Sequence, residues 1–134
     1  MTLLDARPPK PRRLIFKLLP LIIVVVVIIG TLLVYRFKNY PEERAVSRFL
    51  TTLAEGNYQK GYQLWQPAQS YSFENFMHDW GPQGDYGKIR RFEILDSRSK
   101  GSSNVIVTVR INNQDPPLDI VVDRKTKALA YSPF

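Results

Sequence analysis

The stretch Leu18–Val34, LLPLIIVVVVIIGTLLV, runs for seventeen residues without a charge. With Tyr35 and the flanking Ile15 and Phe16, at about 1.5 Å of rise per residue, it reaches roughly the 30 Å of a hydrocarbon core. A cleavable leader has a shorter apolar region with a small-x-small site behind it. Here Ile28, Ile29, Gly30, Thr31, Leu32 and Leu33 lead into Val34, Tyr35, Arg36 and Phe37, which offer no such site. The chain has no cysteine, which removes a thiol-linked lipid anchor and any disulfide. A buried core helix of this length needs more protein around it than the roughly ninety residues that follow. The run therefore reads as an uncleaved single-pass transmembrane helix over residues 15–38, in contact with the bilayer through Leu18–Tyr35. Pro20 falls near the first turn of the span, where a missing N–H matters least. A basic, proline-rich tail over 1–14 precedes the helix and an α+β domain over 41–134 follows it.

Flanking charge orients the span. Arg7, Lys10, Arg12, Arg13 and Lys17 precede it with one acid, Asp5, whereas Arg36, Lys38 and Arg44 follow it beside Glu42 and Glu43. The positive-inside rule then keeps the tail in the cytoplasm and exports the C-terminal domain. The formal net charge of +7 belongs mostly to the anchor. Residues 1–40 carry seven basic side chains and one acid, residues 41–134 twelve and eleven. Cations beside a bilayer are accounted for by topology and anionic headgroups. Arg90 and Arg91 form a local pair without interleaved stacking aromatics, so no nucleic-acid partner is expected.

Beyond Tyr40 the pattern is helical. Pro41 suits a first helical position, Glu42 and Glu43 place negative charge in the first turn, and Val46, Phe49, Leu50 and Leu53 follow the i, i+3, i+4, i+7 template. Gly56 closes this helix of about twelve residues. Asn57 caps a second in which Tyr58, Tyr62 and Trp65 share a face, ended by Pro67, and Ser72 caps a third carrying Phe73, Phe76, Met77 and Trp80. After the loop Gly81–Gly87 the period becomes two. Strands are expected over Ile89–Ser97, Asn104–Asn112, Leu118–Asp123 and Ala128–Tyr131, with Val105, Val107, Val109 and Ile111 on one face of the second and Leu118, Ile120 and Val122 on one face of the third. Three helices and then a four-stranded antiparallel meander with one apolar face imply an α+β domain whose sheet curls over the helices.

The stretch Ala45-Val46-Ser47-Arg48-Phe49-Leu50, with Leu53, Gly56, Asn57, Tyr58, Gly61, Tyr62 and Leu64, resembles the opening A-V-x-x-F-L-x-x-L-x-x-G-D-Y-x-x-A-Y-x-L of bacterial NTF2-like (cystatin-like, SnoaL-like) domains, some of them membrane-tethered. Asn57 stands where that pattern has Asp, and Gly61 where it has Ala. The resemblance implies a cone-shaped domain enclosing a pocket, used by a few enzymes and by many non-catalytic binding or assembly modules. Its motif packs helices and says little about chemistry.

Candidates for chemistry are few. His78, the single histidine, with Asp79 beside it and Asp85 further on, would be the acid/base group of an enzyme reading. Successive helical residues diverge, which argues against a preset dyad, so no catalytic residue is assigned. One histidine without cysteine does not make a zinc site, and Gly81, Gly84 and Gly87 lack the strand, helix and lysine of a phosphate loop, so neither metal nor cofactor is expected. Tyr58, Tyr62, Trp65, Phe76 and Trp80 are candidate linings of an apolar pocket, and equally candidates for the core of so small a domain. The expectation is a non-enzymatic membrane-anchored module acting as an accessory subunit with a protein partner at the membrane. The alternatives are a tethered binder of a small apolar ligand and an acid/base enzyme using His78.

Overall fold

A computed structural model describes residues 12–132. The chain divides into two compact units, Met1–Lys38 and Asn39–Phe134.

The first unit is one helix, α1 (Arg12–Phe37), twenty-six residues long and therefore about 39 Å. It is the one helix among the described residues long and apolar enough to cross a membrane. Its apolar side chains lie open, Val24 at 53% and Leu32 at 61% exposed, a condition that lipid satisfies and water does not. Thr31 donates its hydroxyl to the Val27 carbonyl at 2.8 Å, so the one polar side chain of the run is satisfied within the helix. The expected tail over 1–14 lies outside the described residues as far as Pro11, and Arg12 already opens α1. Pro20 therefore sits about two turns inside the helix, not at its start, and leaves the Phe16 carbonyl without its usual donor.

The second unit is α+β. Helices α2 (Tyr40–Ala54), α3 (Tyr58–Trp65) and α4 (Phe73–Trp80) precede strands β1 (Phe92–Lys100), β2 (Asn104–Ile111), β3 (Leu118–Asp123) and β4 (Leu129–Tyr131). The strands pair antiparallel in chain order. Caps act where the sequence places them. Gly56, at φ +80°, ends α2 with its N–H on the Leu53 carbonyl at 2.9 Å and the Asn57 N–H on that of Thr52 at 3.1 Å, which is the paired closure of a Schellman motif. The Asn57 and Ser72 side chains each accept a backbone N–H at 3.2 Å, from Lys60 and Asn75.

Val46, Phe49, Leu50 and Leu53 of α2 are fully buried with Val105, Val107 and Val109 of β2 and Ile120 and Val122 of β3 in a single core. Gly61 allows α3 close approach, since a Cβ there would lie 2.5 Å from Leu53 Cδ2.

The first strand begins later than its alternation suggests. Ile89 is buried, but the N–H groups of Arg90 and Arg91 go to the Asn112 side chain (2.8 and 3.2 Å) in place of a neighbouring strand. Pairing starts at Phe92 and shifts register between Ile94 and Asp96, so Leu95 is the extra residue of a bulge. The bulge reverses the inward phase. Ile94 lies opposite Val109 and Ser97 opposite Val107, and Ser97 donates a short hydrogen bond to Glu43 of α2.

Candidate functional site

The volume between helices and sheet is filled by rings. Phe49 lies 5.2 Å from Trp65 and 5.1 Å from Trp80 between centroids, and Trp65 and Trp80 lie 5.5 Å apart. Tyr131 of β4 stacks on Trp80 at 5.9 Å, almost parallel at 4°, and Tyr86 stacks on it at 4.9 Å. Of the candidate pocket residues, Trp65, Phe76 and Trp80 are buried within this core, while Tyr58 and Tyr62 pack against it partly exposed. The Trp80 indole N–H is buried with no hydrogen-bond partner among the described residues.

At one edge of the rings Tyr71 donates its hydroxyl to Asp79 Oδ2 at 2.6 Å, with Tyr131 of β4 stacked on Trp80 beside them. Tyr62 donates to the Tyr71 carbonyl at 2.6 Å, which fixes the segment between α3 and α4. Burial raises the pKa of Tyr71 and Tyr131, and the neighbouring Asp79 carboxylate raises both further. Burial, then Asp85 and Asp79, raise that of Tyr86. The three phenols are therefore neutral at physiological pH.

His78 stands outside this cluster, its side chain 82% exposed, with Nδ1 3.5 Å from Asp79 Oδ1, longer than an effective hydrogen bond. It borders an open surface groove of about 410 Å³ with Glu74 and Met77. Asp85 is exposed on the following loop. The arrangement thus commits Asp79 to Tyr71 and leaves His78 in solvent. No group of three or more metal-ligating side chains occurs among the described residues.

A second polar cluster ties the start of the domain to its sheet. The Glu42 side chain is 3% exposed, and its Oε1 lies 3.4 Å from both Arg124 Nη1 and Lys127 Nζ. Arg124 also donates to Asn39 Oδ1 at 3.0 Å and Ser99 Oγ at 2.9 Å. Asn39, Ser99 and Arg124 thereby mark the end of the sheet at which the second unit begins. From Ser99 back to Phe92 is about 23 Å of strand. At that far end Lys88, Arg90 and Arg91 border a groove of about 530 Å³, over backbone that the Asn112 amide holds from both sides.

Tyr71, Tyr86, Tyr131 and Glu42 were not legible as site residues. Tyr71 and Tyr131 come together across sixty residues of chain with no motif to signal it, and Glu42 reads as an ordinary first-turn acid. No family model matches this chain, and no curated protein or solved structure is significantly similar to it.

Proposed function

We propose that the chain is a single-pass, membrane-anchored, non-enzymatic module of the NTF2-like kind, serving as an accessory subunit with a protein partner at the membrane. In this reading the N-terminus is cytoplasmic and the domain exported. The observation that carries it is the filled interior: Trp65, Phe76 and Trp80 occupy the volume an active site would need, while the one histidine is 82% exposed in its side chain. Acid/base catalysis needs a proton-transfer group held against bound substrate, and His78 has neither burial nor a close carboxylate.

Topology and role are testable together. The chain has no cysteine, so a Ser102→Cys variant, on an exposed turn, carries one thiol. Labelling by a membrane-impermeant maleimide in spheroplasts supports export, and labelling only after lysis refutes it. A photo-crosslinker at Arg91, at the far end of the sheet, should then trap a discrete adduct with a membrane protein that His78→Ala leaves intact.

A small apolar ligand is the second reading. The partnerless Trp80 indole N–H among tyrosines favours it, and ligand-dependent change in Trp80 fluorescence would test it.

A further inference from the structure

We propose that the groove at the start of α2 docks the domain onto the headgroups of anionic phospholipids. Arg44 and Arg48 lie four residues apart on one exposed face of α2, which places their side chains as neighbours. They border a groove of about 450 Å³ whose other linings include Pro41, Ala45 and Leu64, with Lys127 at the rim. No acid lines it, and among the described residues neither arginine has an acidic partner. Lys127, by contrast, is already held by Glu42.

Two free guanidinium groups over an apolar floor match a phosphodiester above its glycerol and first methylenes. The chain path supplies the occupant. The aromatic and basic residues Tyr35, Arg36, Phe37, Lys38 and Tyr40 follow the apolar run and mark where it meets water. Along α2, Arg44 is about 6 Å and Arg48 about 12 Å beyond Tyr40. From Phe37 the chain cannot carry Arg44 further than about 25 Å. Tethering thus gives the groove a high effective concentration of headgroups, so that even a weak individual contact counts. Near a surface, two cations together give on the order of thirtyfold preference for an anionic bilayer.

The proposal rests on α1 being an anchor, and the test separates the two. Full-length protein is reconstituted into nanodiscs of phosphatidylcholine alone or with phosphatidylglycerol. Failure to enter either disc refutes the anchor. Thermal unfolding is followed by tryptophan fluorescence, because both tryptophans, Trp65 and Trp80, lie in the domain. The melting point is expected to be about 8–16 °C higher in the anionic discs. Arg44→Gln/Arg48→Gln should abolish that difference, whereas Arg90→Gln/Arg91→Gln, equal in charge and at the far end of the sheet, should keep it. No difference between discs, or equal loss in both double variants, overturns the proposal. Suppression of the difference by inorganic phosphate, at an ionic strength where chloride has no effect, reassigns the groove to a free anion and also overturns it.

Discussion

Replacing Phe49 by Ala removes the ring around which the domain is packed. Phe49 is completely buried, with Trp65, Trp80 and Phe76 at centroid distances of 5.2, 5.1 and 6.1 Å. Phe-to-Ala changes in cores cost about 3–5 kcal/mol. Three aromatic partners, each worth about 0.5–1.5 kcal/mol beyond area, place this site in the upper half of that range without adding in full. An expected loss of about 4 kcal/mol is a large part of the roughly 5–15 kcal/mol that holds such a domain. For a domain of this size it lowers the melting point by about 16–30 °C. Arg48→Ala, one position away on the exposed face, should stay within about 0.5 kcal/mol in a zwitterionic bilayer. Tryptophan fluorescence of the full chain in phosphatidylcholine nanodiscs reads both. Equal shifts from the two changes would refute the helical register of α2 and the core built on it.

Gly61→Ala should lower stability by about 1–3 kcal/mol although alanine is the better helix former, because its Cβ would sit 2.5 Å from Leu53 Cδ2 in a buried contact. In a Leu53→Ala background the same change should become neutral or favourable, and a cost that persists there would exclude the clash as its cause. The raised pKa values of Tyr71, Tyr86 and Tyr131 give a pH dependence of known sign. The fold favours their neutral forms, so this contribution is complete below the ordinary tyrosine value of 10.0 and is lost as pH rises above it. The melting point should fall more steeply above pH 10 in the native chain than in Tyr71→Phe, which cannot ionise there. Absorbance at 295 nm showing all seven tyrosines ionising near 10 in the folded domain would contradict this.

The sequence by itself determined what depends on local chemistry and period. The run Leu18–Val34, uncharged and apolar but for Thr31, presents an apolar surface, and α1 leaves it open along its length. Asn57, Ser72 and Gly56 cap and close helices through bonds to residues three to five positions away, so neighbours in sequence suffice to read them. Alternation in Val105–Ile111 fixes the inward face of β2 because a pleat has a period of two. Tertiary structure decided the rest. Leu95 becomes a bulge only against the register of β2, and the N–H groups of Arg90 and Arg91 leave the sheet only because Asn112, more than twenty residues away, accepts them. Tyr131 meets Trp65 and Trp80 because β4 packs against the helices, Tyr71 bonds Asp79 eight residues on, and His78 stays in solvent because the same packing turns Phe76 and Trp80 inward. A pair of side chains distant in sequence leaves no periodic trace, since any of many residues can fill a given space; only the folded packing selects which ones meet.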